Sequence, residues 1–434
     1  MEEYLNNLLD QIRCKKAHAA IREELESHIS DQIEDNMKAG MTREEAEKAA
    51  VCDMGDPVTT GISLDQIHRP KMARQMIVLM AVIMFAGVLI HWMMGAPVAC
   101  MQTISGFCLM FFICHLDYTR IAAIAKVIAA GIILVGIYAL FFGVRFGGNI
   151  FVASLLWFRI SMFSFLMLYV PVYGAILYSY YGEGYKGLVK AALWAVPPLF
   201  IALMMSSLTL FLILSVCMVS LLVLAVVKKW FQVKQKRVVI GAAILVLAIT
   251  GILQIANAPY QMDRIRNFLA GDVESNYVTK VLKNCFSGSI LIGKGVEELK
   301  TTLPDYNNSF ILAYLTGTYG YIICAAVCAV LVLLIVAIFS IVFRQKNQLG
   351  MMMGFGSGMI LFTNIAINLL ENFGILPTSQ TFLPFFSKGG SCMYVCYILM
   401  GVILSVYRYK DVYSVHLPKR KGRARLLKVR LIIE

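Results

Sequence analysis

The stretch Phe373–Ser391, FGILPTSQTFLPFFSKGGS, decides how this chain is read. It joins two long apolar runs, 350–371 and 389–407, so it marks a membrane face. Pro377 and Pro384, with Gly374, Gly389 and Gly390, punctuate otherwise apolar residues beside a lone lysine, Lys388. A helix cannot run through either proline, which lacks the N–H and clashes with the preceding turn. At membrane depth, backbone without helical bonds persists only where protein or a water-filled cavity satisfies its polar groups. The stretch therefore reads as the wall of a site.

The rest of the chain supports a bilayer setting. Of 434 residues, 59% are apolar and 15% charged, with a mean hydropathy of +0.72; soluble domains carry about 25% charged residues. Apolar runs of roughly 20 residues recur, each long enough to cross a bilayer. Ten spans are predicted: 75–95, 98–115, 121–143, 158–180, 187–205, 208–227, 238–257, 309–343, 350–371 and 389–407. The eighth is too long for one crossing and predicts an entry segment at the outer face. The expected fold is an all-α polytopic membrane protein with about ten transmembrane helices, preceded by a small cytoplasmic helical domain.

Charge sets the orientation. Residues 1–74 hold 15 of the 26 acids against ten Lys and Arg, and the remaining 360 residues hold 11 acids against 29. Basic loops at 115–126, 181–190, 228–237 and 344–348 alternate with loops poor in Lys and Arg, which predicts both termini in the cytoplasm. The formal net charge of +13 follows from this bias. With no basic groove interleaved with aromatics, no nucleic-acid partner is expected. The tail 411–434, which contains KRKGRARLLKVR, is expected to lie against anionic membrane lipid. No cleavable leader is expected, because the first 70 residues are charged and the first apolar run follows them.

Residues 1–70 carry helical periodicity in Tyr4, Leu5, Leu8, Leu9 and Ile12, and again in Ile21, Leu25, Ile29, Ile33 and Met37. Gly40 predicts a helix end, Thr42 with Glu45 a capping box, and Met54–Pro57 (MGDP) a break. Glu24 and His28 share a helix face, as metal ligands or as a solvated pair. Cys324 with Cys328, and Cys392 with Cys396, have i,i+4 spacing that suits packing or a metal site; no metal site is assigned to either. The ELESHI, GMTREEAE and MGDP runs resemble the permease-prefix (HAAS) domain, which implies a sensory or regulatory role.

One connection, the outer loop 258–308, is too long to be mere linkage, so chemistry is sought there. No acid falls mid-span, which argues against a proton-coupled carrier. The acids expected at the outer face are Asp263, Asp272, Glu274, Glu297, Glu298, Asp305 and Glu371.

Several segments share one pattern. Pro259–Leu269 (PYQMDRIRNFL), Tyr277, Gly293-Lys294-Gly295, Leu303–Ala313 (LPDYNNSFILA) and Asn368 occur in order. Gly374–Pro377 (GILP), Leu383–Phe385 (LPF) and Ser387–Ser391 (SKGGS) follow them. Together these resemble the SEDS family (FtsW, RodA and SpoVE) over most of 75–410. The resemblance implies polymerisation of undecaprenyl-linked peptidoglycan precursor into glycan strands at the outer face of the bacterial cytoplasmic membrane. A class B penicillin-binding protein as partner and a divalent metal as cofactor are further implications. Its proposed general base is an aspartate at the position of Ser309, and a serine hydroxyl is too weakly basic to serve unaided near neutral pH.

Family carboxylates are also absent at Gly317-Thr318 and at Ser207, while the scaffold prolines and glycines remain. The family's Thr-Gly is Ser379-Gln380, and its tyrosine before the glycines is Lys388. Asp305, four residues before Ser309, and Glu371 are the replacement-base candidates. Arg159, Arg264, Lys294 and Lys388 are the candidates for binding the precursor's phosphates. Three readings follow: a precursor-binding assembly protein with or without polymerase activity, a non-catalytic regulator or scaffold of a cell-wall synthase, and a lipid flippase.

Overall fold

The computed structural model describes residues 1–146, 149–153, 159–231, 233, 277–293, 299–379 and 381–413. These divide into two compact units, one of Met1–Lys71, Lys346–Leu349 and the described residues from Tyr409, the other of Met72–Gln345 and Gly350–Arg408.

The first unit is built on α1 (Glu2–Asp10), α2 (His18–Lys38), α3 (Arg43–Asp53) and α4 (Pro57–Ile67). Its core is the predicted stripe: Leu5, Leu8, Leu9, Ile12, Ile21, Leu25 and Ile29 are buried, joined by Ala46 and Ala50. Ile33 and Met37 of the same stripe lie outside that core. Gly40 takes φ +99° just past α2. Thr42 then caps α3 through the predicted box, its side chain accepting from the Glu45 N–H while the Glu45 carboxylate accepts from the Thr42 N–H at 3.1 Å. MGDP works as a hinge of two parts: Gly55 ends one helix at φ +78°, and Asp56 caps the next, with Pro57 at its first position.

The second unit is the membrane part. Among the described residues nine helical stretches are long and apolar enough to cross a bilayer: Arg74–Met93, Pro97–His115, Ala125–Phe142, Met162–Ser179, Tyr185–Met204, Leu208–Val227, Tyr321–Phe343, Gln348–Asn372 and Gly390–Arg408. They match nine of the ten predicted spans; the predicted span 238–257 lies outside the described residues. Arg74–Met93 (α5) is apolar all round. Met76, Met80, Ile83, Gly87 and Ile90 are buried, while Val78, Val82, Phe85, Leu89 and Trp92 form an exposed stripe on its other face. An exposed stripe of this kind is what lipid requires.

Where spans are interrupted, the cause is local. Tyr185–Leu193 (α11) and Val196–Met204 (α12) are split because Pro197 and Pro198 offer no N–H to the preceding turn. The Trp194 carbonyl left over accepts instead from the Tyr169 hydroxyl at 2.6 Å. The third span starts as a short helix, Tyr118–Ala123 (α7), before Ala125–Phe142 (α8). The long predicted eighth span is two helices, Ile311–Tyr319 (α16) and Tyr321–Phe343 (α17). Gly320 joins them at φ +94°, where a Cβ would lie 2.6 Å from the Leu291 carbonyl. Only glycine fits there.

Helix association in lipid depends on close packing rather than on water exclusion. Pro97–His115 (α6) and Gly390–Arg408 (α19) show it: a Cβ on Gly106 would sit 2.4 Å from the Tyr397 ring, and one on Gly401 2.7 Å from Ile113. The all-α expectation holds, and the described residues add one small sheet to it. Val144–Phe146 (β1), Asn149–Ala153 (β2) and Arg159–Ser161 (β3) form an antiparallel sheet in the order β1-β2-β3, with Val144 opposite Phe151 and Phe151 opposite Ser161. The predicted fourth span therefore starts at Met162 rather than at 158. β-Branched and aromatic residues here favour a pleated strand over helix.

Candidate functional site

The site is built around the turn Leu303–Phe310, between Leu299–Thr302 (α15) and α16. Asp305 has φ +51°, a left-handed conformation that short polar side chains tolerate. The reversal lets its carbonyl accept from the Asn308 N–H (3.1 Å) and the Phe310 N–H (3.3 Å). Its carboxylate oxygen Oδ2 accepts from the Ser309 N–H at 3.1 Å, the Ser309 hydroxyl at 2.5 Å and Asn308 Nδ2 at 3.3 Å. Asp305 is exposed and Ser309 buried, so the carboxylate covers the serine from the open side.

The backbone of this turn is gripped from behind. The Asn307 carbonyl accepts from the Lys388 N–H at 2.8 Å, and the Asn308 carbonyl from the Ser387 hydroxyl at 2.7 Å. The Ser309 carbonyl accepts from Asn368 Nδ2 at 2.9 Å and Asn372 Nδ2 at 3.1 Å. Consecutive carbonyls are thus anchored by the SKGGS segment and by the end of Gln348–Asn372 (α18). Asn372 also accepts from the Ala313 N–H at 3.1 Å, fixing the start of α16. The Leu383–Ser387 segment is itself a turn, with Phe385 at φ +69° and the Leu383 N–H donating to the Ser387 hydroxyl at 2.7 Å. The wall inferred from Pro377, Pro384 and the glycines is therefore a brace for residues 307–309.

Glu371 is also drawn into this network, but differently. It is 1% exposed. The Ser379 hydroxyl donates to Oε1, and the Thr381 hydroxyl donates to Oε2 at 2.8 Å. Asn368 Nδ2 reaches Thr381 Oγ1 at 3.3 Å, which links the Glu371 socket to the carbonyl of Ser309. This replacement-base candidate is therefore enclosed, with hydroxyls on both its oxygens.

The phosphate-binding candidates divide. Lys388 is exposed, next to the anchored turn. Arg159 lies in β3, opposite Ala153. Arg264 and Lys294 lie outside the described residues, as do Gln380 and the acids Asp263, Asp272, Glu274, Glu297 and Glu298. Sequence reasoning passed over two features. Asn364, Asn368 and Asn372 recur every four residues on α18, a visible signal for a polar stripe facing the interior. His91 near the end of α5 is fully buried, with neither ring nitrogen hydrogen-bonded among the described residues, and its position in a span gave no warning of that. Among the described residues no three His, Cys, Asp or Glu side chains converge.

Comparison with known proteins agrees with this architecture. A family model for cell cycle proteins of the FtsW, RodA and SpoVE type matches residues 71–412. A probable peptidoglycan glycosyltransferase FtsW of Hydrogenovibrio crunogenus is 28% identical over 173 residues, 38% of this chain and 44% of the relative. Its counterpart in Aliivibrio salmonicida is 26% identical over 255 residues, 55% of this chain and 60% of the relative. The chain thus spans about half the length of these curated relatives. A chain from a peptidoglycan synthase complex superposes with a TM-score of 0.65 at 18% identity, over 79% of this chain and 98% of that one. RodA of Thermus thermophilus superposes with a TM-score of 0.56 at 15% identity, over 78% and 97%. These likenesses show the fold. With the match to residues 71–412, the chain belongs to the FtsW/RodA/SpoVE family of cell cycle proteins.

Proposed function

We propose that this protein acts in peptidoglycan assembly, binding undecaprenyl-linked precursor at the end of the helical bundle that carries Asp305, Ser309 and Lys388. The observation that carries the reading is the exposed Asp305 carboxylate, held 2.5 Å from the hydroxyl of Ser309, the residue at the family's aspartate position. Oδ2 is occupied by three donors, and Oδ1 carries no hydrogen bond among the described residues. In a polymerisation step the acceptor sugar hydroxyl attacks the anomeric carbon of the donor. The carbon–oxygen bond to pyrophosphate breaks, and the hydroxyl proton passes to Asp305. Lys388 offers its ammonium to the departing pyrophosphate. A class B penicillin-binding protein is the partner this reading expects, in the bacterial cytoplasmic membrane with both termini cytoplasmic.

A second reading is favoured by Ser309 itself: a member that binds precursor or synthase without polymerising, with residues 1–70 as a permease-prefix-like regulatory piece. Purified full-length protein, lipid-linked precursor, Mg²⁺ and the partner synthase separate the two. Glycan strands that disappear in Asp305→Asn support catalysis by Asp305. Precursor or synthase binding without strands leaves the regulator reading, and absence of binding to both overturns the two readings. Deletion of residues 1–70 is expected to change control of wall synthesis while membrane insertion is retained.

A further inference from the structure

The first unit holds a cavity of about 520 Å³ whose lining includes Arg13, Lys15, Lys16, Arg69 and Tyr409. Four cations line this concave surface against one carboxylate, Asp65, which pairs with Arg13 and Arg69, and positive charge in excess of its partners is stabilised when an anion fills the site. The cations are not all loose side chains. Asp65, 3% exposed, accepts from the Arg13 N–H at 3.0 Å and from Arg69 Nε and Nη2 at 3.1 and 2.6 Å. This pins the Arg13–Lys16 linker to α4 and fixes one edge of the Arg69 guanidinium. Arg69 Nη1 carries no hydrogen bond, and Lys15 no ion pair, among the described residues. Tyr409 forms the remaining wall, with the Lys16 ammonium 4.5 Å from its ring centroid.

We propose that this cavity binds a phosphate-bearing anion, with the backbone-anchored Arg13–Lys16 linker and Arg69 as its cradle. Guanidinium groups suit phosphate oxygens in paired hydrogen bonds, and ammonium groups add compact charge. The volume lies within the range of small-ligand sites, about 300–1,000 Å³. Two sources supply this chemistry. A lipid headgroup is one: Tyr409 directly follows the span Gly390–Arg408 in sequence and Arg69 precedes the span at Arg74 by five residues, and basic residues flanking a span in sequence attract anionic lipid. A soluble phosphorylated compound is the other source. Either makes the cavity an input to the unit formed largely by residues 1–71, separate from the Asp305 site.

The test uses the full-length protein in detergent, the triple variant Arg13→Ala/Lys15→Ala/Lys16→Ala, and the control Arg43→Ala/Lys48→Ala, which removes charge elsewhere on the same unit. Native mass spectrometry with phosphatidylglycerol against phosphatidylcholine reads the lipid arm, and calorimetry with inorganic pyrophosphate reads the soluble arm. The expected result is at least a tenfold loss of affinity in the triple variant for one probe, with the control within about twofold of the wild type. The affected probe identifies the source. The single variant Lys15→Glu, at an exposed position, is expected to move binding the same way and guards against a folding defect in the triple variant. Equal affinity of wild type and triple variant for both probes, or equal loss in the control, overturns the proposal. So does equal retention of phosphatidylcholine and phosphatidylglycerol when pyrophosphate also fails to bind.

Discussion

Glu371 and Asp305 belong to one hydrogen-bonded assembly, joined through Thr381, Asn368 and Ser309, yet their surroundings are opposite. Glu371 is sealed at the end of α18 with hydroxyls on both oxygens, and Asp305 stands on an exposed turn with its donors gathered on one oxygen. A carboxylate enclosed in this way holds its surroundings in place and has no open side for a substrate. One exposed on a braced turn can accept a proton from a bound hydroxyl. On the function proposed above, Glu371 belongs to the frame and Asp305 to the chemistry, two residues that the sequence alone left as equal candidates.

The comparison breaks most sharply at Glu371→Ala. That change leaves the buried Thr381 and part-buried Ser379 hydroxyls without their acceptor, at about 1–3 kcal/mol for each buried group left unsatisfied. Unfolding in detergent is expected to show a loss of about 2–4 kcal/mol, whereas Asp305→Asn is expected to change stability by less than about 1 kcal/mol and, on the proposed function, to abolish strand formation. Equal stability losses would erase the distinction. Next in size is Ser309→Asp, which restores the family's residue but sets a second carboxylate against Asp305 at a buried position. Like charges this close disfavour joint ionisation, and the expected destabilisation is about 2 kcal/mol, largely recovered when Asp305→Asn is added. No recovery in the double variant would mean the two side chains do not interact.

Asp65 sharpens the same contrast, because it is buried like Glu371 but paired with cations. Burial pushes its carboxyl up, and the Arg69 hydrogen bonds, the Arg13 N–H and both guanidinium charges outweigh this, leaving it below its ordinary value. A depressed folded value means its stabilising contribution is present above the ordinary carboxylate range, about pH 4, and is lost as pH falls through the folded value. Amide exchange in α1 and α4, corrected for intrinsic rate, should accelerate below about pH 4 in the wild type. In Asp65→Asn the acceleration is expected already at neutral pH, with no further step due to this group. The smallest effect is expected at the exposed box of α3, where the Thr42 side chain holds the Glu45 carboxyl below its usual range. Thr42→Ala should weaken that helix end by about 1 kcal/mol, seen as faster exchange confined to the first turn of α3.

Much of this architecture was legible in the chain. Nine of ten spans stood out because runs such as Leu208–Val227 are apolar over their whole length, and Gly320 sat where the overlong eighth run had to break. The strands Val144–Phe146, Asn149–Ala153 and Arg159–Ser161 were hidden because Phe151 and Val152 are as apolar as a span, and hydropathy alone does not separate a short apolar strand from a helix end. Within the site, Asp305 and Ser309 were paired by their spacing of four, although a turn rather than a helix brings them together. The burial of Glu371 was not legible because nothing local marks Ser379 and Thr381 as its partners; the contact depends on residues eight and ten positions further along the chain meeting its carboxylate. The carbonyl clamp by Asn368 and Asn372 was visible as spacing but not as function, since spacing does not say which backbone a side chain meets.

The central claim, that precursor binds at the end of the bundle carrying Asp305, is tested most directly by photo-crosslinking. A lipid-linked peptidoglycan precursor bearing a photoreactive group on its first sugar is irradiated with the full-length protein in nanodiscs, and the labelled peptides are mapped. Labels within residues 303–310 and 387–391, competed by unlabelled precursor, are the predicted result. Competable labels that fall only on other segments would contradict it.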